Sequence, residues 1–519
     1  MPSKDKGVKT PLALVKTRWT NAAAWIEAHE QILSKSYLFL VIPCFFGLYF
    51  TLASIHGISM DEGYYGWGAQ YFADGDYLLT KATTDKPPLI YQILGVSLIF
   101  FGRSVMALKI PNAFALLILL LLTYAMGKRF FGAATGLLAA VLMVISPYMA
   151  DMGVGAMTDP IAALLLIASL LAALKGRLFP SGFWLGLSIC TRQMSLLFAP
   201  VSLFAGWMSI KSAREEGNIW PSLKRFVAGL ALPVIYLLIW SNFFEKDRFR
   251  WLLQEISSGK VVMGKEQCAN AIGRLWFWGS TIGSFFISPF FWWLALICLV
   301  IFTVLTFIDK KRDTAYRRIS PANIKVLLFF SAIIFYYVIS HTLIGIPLYK
   351  RMMFPLLPLL VLLFSFVLVR SAELIFPKHT YWKIVGLSLL TVLLIWGSAQ
   401  NVKISSKLKP YDDLPEVAQL IRQMPQEKKM VISKDFNRQL RFLLYNTNIE
   451  FEQYQSKPIL EIVDRFSEWN PILLITEDER EKVPQFAREL SPRYELSQIA
   501  TSSRATIQIF VIKDREHIR

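Results

Sequence analysis

Two adjacent acids, Asp61 and Glu62, stand in the stretch ISMDEGYYGWGAQYF, Ile58 to Phe72, directly after a long apolar run. Asp85 and Lys86 follow in TTDKPPLIY, Asp159 in AMTDPI, Arg192 in CTRQ, and Tyr349, Lys350 and Arg351 in IPLYKRMMFP. A carboxylate can take the proton from an attacking hydroxyl or amine. Lysine and arginine can stabilise a departing phosphate as its charge grows. Gathered in one place, these residues could move a group off a phosphate. Whether they gather depends on the elements that carry them.

Those elements cross a membrane. The chain has 519 residues, 54% hydrophobic and 18% charged, with a mean hydropathy of +0.44. Runs such as YLFLVIPCFFGLYFTLASI, Tyr37 to Ile55, approach bilayer-spanning length. The net charge of +18 lies mostly in short loops between apolar runs, a topology signal rather than a nucleic-acid surface. Cys44, Cys190, Cys268 and Cys298 have neither disulfide nor zinc spacing. Residues 1–36 carry six lysines and arginines and no cleavage site, and read as a cytoplasmic leader.

Cationic segments fix the threading when all are placed in the cytoplasm: the leader, Gly127–Phe130, Lys175–Arg177, Ile210–Arg225, Asp309–Ser320 and Arg370–Lys383. An even number of crossings must separate each pair. Spans are then expected at Tyr37–Ile55, Val105–Met126, Gly132–Met149 and Pro160–Leu174, and two short ones within Gly182–Met208 turn near Arg192 and Gln193. Phe226–Phe243, Thr281–Ile308, Val326–Ile344, Met352–Val369 and Ile384–Gln400 complete about eleven transmembrane helices. Pro87–Gly102 is left along the outer surface as an amphipathic segment. The outer loop 56–104, the turn at Asp159, Arg192 and the YKR triplet all come to the non-cytoplasmic face. The spans occupy 37–400.

Each residue also has a plainer role. Ser59-x-x-Glu62 spells a capping box, and Asp159-Pro160 reads as an N-cap with proline at N1. Lys86 could snorkel to the interface, Arg192 could cap a hairpin of short helices, and YKR could anchor a span. The aromatics around Asp61 fit an interfacial belt. His56 and His341 fall near outer ends of spans, where a core or interfacial histidine is the plainer reading. No metal-ligand spacing is present. Residues 401–519 turn polar and alternate strands (KKMVISKD, IEFEQY, PILLITED, ATIQIFVIKD) with helices (LPEVAQLIRQM, FNRQLRFLLYN, PILEIVDRFSEW), a small extracytoplasmic α/β domain. It has no glycine after Gly397, which makes it a poor phosphate cradle for nucleotides.

The pair Asp61-Glu62 after the first span, then DKPPLIY, then Asp159, resembles the GT-C membrane glycosyltransferases. More narrowly it is similar to the protein O-mannosyltransferase and lipid A aminoarabinose transferase branch. GRSVMALKIPNAFALLILLLLTYAMGKRFFGAATGLLAAVLMVISP shares that branch's cadence. The resemblance covers about Tyr37 to Phe204. It implies a GT-C fold, Asp61 as base, Asp159 as the second-loop acid, and Lys86 as a contact for lipid-linked phosphate. Arg192 stands where a lysine is common. Asp85 stands where the aminoarabinose enzymes carry a glutamate that helps bind a metal, but Phe244–Ser280 holds no companion histidine. Were a divalent ion held, Asp85, His56 and His341 would be its candidates; no cofactor is required. The chain also lacks the luminal module of eukaryotic protein mannosyltransferases and any Asn-x-Ser/Thr sequon.

Nucleotide sugars are confined to the cytoplasm, so an outward-facing site needs a donor delivered by lipid. Together with the resemblance, this implies a glycosyltransferase in a bacterial inner membrane, moving a sugar from polyprenyl phosphate to a glycan, lipid or protein acceptor with inversion. Asp61 would be the base, Glu62 and Asp159 would orient the acceptor or the cations, and Lys86, Arg192, Tyr349, Lys350 and Arg351 would bind the donor phosphate. A lipid or solute transporter would instead place charges at mid-bilayer with internal repeats, and an envelope scaffold would work through residues 401–519 alone.

Overall fold

A computed structural model describes residues 30–82, 84–213, 220–245, 271–283, 285, 321–343, 349–375, 381–405, 413–424, 428–433, 437–445, 447, 449–453, 459–465, 469–491, 493–502 and 507–515. Most of the leader, the segment 309–320 and most of the expected span Thr281–Ile308 lie outside the described residues.

Helix α1, Glu30–Ile55, is the first span, and α2, Met60–Ala73, carries the acidic pair. Leu89–Phe101 forms α3, Val105–Phe131 forms α4, and Ala133–Ile145 forms α5. GKRF therefore lies in the last turns of α4 rather than in a loop: five more residues continue the helix before the turn at Gly132, and Lys128 and Arg129 favour the negative end of its dipole. A short α6, Pro147–Met152, leads to α7, Thr158–Leu174, and α8, Leu178–Thr191. The chain turns at Arg192 into the 3-10 helix Gln193–Phe198 and α9, Ala199–Ala213, the hairpin of short elements that the sequence implies. Then come α10, Trp220–Phe243; α11, Ala271–Gly283; α12, Pro321–Leu343; the 3-10 helix Lys350–Leu356; α13, Leu357–Ile375; and α14, Tyr381–Ser405. Thr281 lies in the last turn of α11, and most of the expected span that starts there lies outside the described residues.

Among the described residues, five helical stretches are long and apolar enough to cross a membrane: Ser36–Ile55, Val105–Phe131, Trp220–Phe243, Ile324–Leu343 and Lys350–Ala372. Large apolar side chains point outward from them and from α3, with Phe39 76% and Phe100 77% exposed. A water-soluble surface would bury such groups; here lipid covers them. This is a multi-span membrane protein.

Cross-bundle hydrogen bonds tie helix ends to one face. Trp240 Nε1 donates to the Leu78 carbonyl at 2.8 Å, and Tyr337 Oη to the Met352 carbonyl at 2.9 Å. Asn401 Nδ2 reaches the Ile145 carbonyl at 3.0 Å and Ser146 Oγ the Phe285 carbonyl at 2.7 Å. These bonds join α10 to the acidic loop, α12 to the segment after Arg351, and α14 to the end of α5.

The C-terminal domain builds one mixed sheet from β1, Lys429–Ser433; β2, Ile449–Gln453; β3, Asn470–Thr476; β4, Tyr494–Thr501; and β5, Ile507–Asp514, in the order β2-β1-β3-β5-β4. Strands β2, β1 and β3 are parallel, while β5 runs antiparallel to both β3 and β4. Helices α15, Leu414–Gln423; α16, Asn437–Leu443; α17, Ile459–Arg465; and α18, Val483–Leu490, fill its connections. One apolar layer packs α15 and α16 on the sheet, and the other packs α17 and α18 on the opposite face.

Candidate active site

Asp61 and Glu62 occupy the first turn of α2, where the amide groups favour negative charge. The capping box is present: Glu62 N donates to Ser59 Oγ at 3.3 Å, and Ser59 N to Glu62 Oε2 at 2.8 Å. The other Glu62 oxygen accepts from Ala156 N at 2.8 Å. Glu62 is buried, with Lys109 Nζ 4.0 Å away. Both its oxygens thus face protein, and it ties the Asp61 helix to the loop preceding Asp159. Gly155 permits that approach, since a Cβ there would lie 3.1 Å from the Glu62 carboxylate.

Lys109, fully buried in α4, is a residue the sequence reading did not single out. Its ammonium donates to the carbonyls of Ala53 and Gly57 at 3.0 Å each and also to that of His56, capping the negative end of α1. The Tyr49 hydroxyl reaches the carbonyls of Lys109 and Val154 at 2.8 Å. Asn112 Nδ2 donates to Met157 O at 3.0 Å and also to Gly155 O. These bonds fix the loops carrying Asp61 and Asp159 against each other. A lysine at the head of an apolar span was the available sequence signal, because a charge at that depth needs a partner.

Asp61 points the other way and remains partly exposed. Arg351 donates to its Oδ2, and Arg438 of α16 lies 3.7 Å from Oδ1. Burial pushes the Asp61 carboxyl up, but Arg351, through charge and hydrogen bond, and then Lys86 and Arg438, outweigh it and hold it below its ordinary value. Lys86 also lies 3.8 Å from Asp85, whose Oδ1 accepts from the Tyr91 hydroxyl at 2.9 Å. Tyr65, on the α2 turn after Asp61, is buried among these groups. Burial raises its phenol well above the ordinary value, and Asp61 and Asp85 add to that, so it stays a neutral donor.

Asp159 and Arg192 form a second, buried pair next to the first. Arg192 Nη1 donates to Asp159 and, at 3.1 Å, to Thr158 Oγ1. Asp159 is not the N-cap of α7. Met157 takes that position, and Thr158 opens the helix; the carboxylate turns instead to the guanidinium, which a buried charge needs more than a backbone amide does.

Tyr349 stacks under Arg351, 5.0 Å from ring centroid to guanidinium, and so holds that cation in place. The Lys350 side chain, by contrast, is exposed and faces Asp151, as does His56. His341 is a core residue: its Nδ1 lies 3.0 Å from the Tyr337 carbonyl, and its ring packs on Tyr337 and Trp278. Among the described residues no three His, Cys, Asp or Glu come together as metal ligands, and Asp85 is engaged by Tyr91 and Lys86. These residues do not fit a divalent ion. The segment 246–270 lies outside the described residues.

The overall fold, a helical bundle followed by a mixed-sheet domain, is similar to that of solved structures. ArnT from Cupriavidus metallidurans bound to undecaprenyl phosphate aligns with 94% of this chain and 98% of its own, at 13% identity and a TM-score of 0.61. The protein has the GT-C fold. In its apo state the same ArnT aligns with 95% and 98% at 14% identity, TM-score 0.61. The archaeal oligosaccharyltransferase AglB from Archaeoglobus fulgidus, in complex with an inhibitory peptide and a dolichol-phosphate, matches 93% of this chain and 74% of its own at 12% identity, TM-score 0.50. Residues 85–240 match the family described as dolichyl-phosphate-mannose-protein mannosyltransferase. That segment of the GT-C bundle includes Asp85, Lys86, Asp159 and Arg192. No curated protein is matched by sequence.

Proposed function

We propose that this GT-C protein transfers a sugar from a polyprenyl-phosphate donor to an acceptor on the extracytoplasmic face of a bacterial inner membrane. The observation that carries the reading is Asp61, a partly exposed carboxylate ringed by Arg351 and Lys86 at the mouth of the bundle. An acceptor hydroxyl or amine attacks the anomeric carbon and gives its proton to Asp61. The bond from that carbon to phosphate oxygen breaks, and the lipid phosphate leaves with the electron pair. Lys86 and Arg351 neutralise it in a partly dehydrated cleft, where fixed cations act strongly. Attack opposite the phosphate inverts the anomeric centre. Asp159 and Arg192 form the wall behind, and Glu62 sets the distance between the two acidic loops. Helix α3 packs one face on α2 and exposes Ile99, Phe100 and Phe101, a surface suited to the donor's prenyl chain.

The relatives' ligands support the donor class: undecaprenyl phosphate lies on ArnT and dolichol-phosphate on AglB. The test uses undecaprenyl phosphate as probe in nanodiscs, together with mass spectrometry of envelope glycans in cells with and without the protein. Lys86→Ala is expected to weaken probe binding. Cells carrying Asp61→Asn are expected to lose the glycan change although the protein is present and folded. A normal glycan profile in those cells would refute Asp61 as the base.

A further inference from the structure

Helix α16 brings the C-terminal domain onto the acid that the proposed reaction uses. Gly63, two residues along α2 from Asp61, abuts the α16 backbone so closely that a Cβ there would lie 2.6 Å from Gln439 Cα. Two polar side chains fix the register. Gln70 Nε2 donates to the Phe442 carbonyl at 3.1 Å, and Arg441 lies over the Trp67 ring at 5.4 Å. In that register Arg438 sits 5.1 Å above the Tyr64 ring and 3.7 Å from Asp61 Oδ1, while Arg351 engages Oδ2. An arginine laid on an aromatic face keeps its charge and loses little freedom on pairing. Both oxygens of Asp61 are therefore oriented by guanidinium groups, one from the bundle and one from the domain.

We propose that the C-terminal domain is a working part of the transfer site, with Arg438 as the positioning residue that orients the Asp61 carboxylate and sets its basicity. The charged and titratable groups that act on Asp61 are Arg351 from the 3-10 helix, Lys86 from the loop before α3, and Arg438 from α16. Asp61 in turn acts on Tyr65 of its own helix, a phenol that also feels Asp85 and Arg192, and Asp159 acts on Arg351. Among these groups Arg438 alone comes from the C-terminal domain. Docking of that domain thus changes the charge at the base without touching the lipid-phosphate side. The catalytic consequence rests on the reading of Asp61 as base; the titration itself does not.

The test reads that titration directly. Full-length protein labelled with carboxyl-13C aspartate, in nanodiscs, gives the Asp61 band by infrared difference against Asp61→Asn. Arg438→Gln is expected to raise the midpoint by about 0.2–0.7 pH unit, the range for a partly exposed ion pair. Arg438→Lys should return it towards the parent value. Arg488→Gln, an exposed change on α18 across the sheet from α16, should leave it unchanged. Gly63→Ala, which forces α16 outward, should reproduce the Arg438→Gln shift. An unmoved midpoint in Arg438→Gln protein, where Arg351→Gln does move it, would overturn the proposal. So would an equal shift in Arg488→Gln protein, which would mark general loosening. If the midpoint moves as expected while Asp61→Asn protein still alters envelope glycans, the base assignment fails and the electrostatic coupling stands.

Discussion

Asp61 and Glu62 are neighbours in sequence with opposite environments, and their amide variants should separate cleanly. Glu62→Gln keeps the side chain's shape but replaces one oxygen with an NH2 group. Both oxygens now accept from backbone amides, Ser59 N and Ala156 N, each at 2.8 Å. A charge-assisted bond contributes about 1.5–3 kcal/mol and a neutral one about 0.5–1.5. The glutamine can keep one bond in its weaker neutral form, and its NH2 then faces an N–H donor with no acceptor between them. Lys109, 4.0 Å away, loses the charge of this anion yet keeps three carbonyls. The expected cost is about 2–4 kcal/mol. Asp61→Asn changes a partly exposed group and should be near neutral for stability, because losing a pair of this exposure costs only about 0–1 kcal/mol. In the proposed reaction it should lower turnover by about 10²–10⁴-fold. Thermal unfolding of both variants in one detergent, beside the glycan assay, decides the matter. A stable Glu62→Gln protein, or an Asp61→Asn protein that unfolds early, would refute the division of labour between strut and base.

Other outcomes follow from the same geometry. Arg192→Leu strands the buried Asp159 carboxylate and should cost about 3–5 kcal/mol, whereas Arg192→Leu with Asp159→Leu should recover most of it in thermal unfolding. Because cations depress the Asp61 carboxyl, its ionised form and ion pairs persist through the ordinary aspartate range and are lost only as pH falls through the depressed value. The acid limb of transfer should therefore lie below the ordinary aspartate value and move to higher pH in Arg351→Gln protein, as read from a pH–rate profile. Gly155→Ala places a Cβ 3.1 Å from the Glu62 carboxylate; it should lower the unfolding temperature by less than Glu62→Gln does.

Much of this fold is legible in the linear chain because its signals are local. A bilayer demands long apolar helices and basic ends, so the apolar helices from Tyr37 to Leu174 and the break at Arg192 could be placed by counting residues and charges. The capping box at Ser59 and Glu62 is local in the same sense. In the C-terminal domain, apolar or alternating runs mark the other four strands, but the edge strand β4, irregularly half-buried and exposed, carries no such run in the sequence, and neither does the short helix α18.

The sequence by itself thus determined a membrane bundle, an acidic loop and a separate polar domain, since hydropathy and helix signals act over one or two turns. Only the tertiary structure decided which charges meet. Arg438 reaches Asp61 across several hundred residues, Asp159 chooses Arg192 over its own helix terminus, and Glu62 turns inward while its neighbour turns out. Long-range pairing of this kind is set by which backbones can approach, as at Gly63 and Gly155, and by where a buried charge finds its partner. Neither is written in any short stretch of residues.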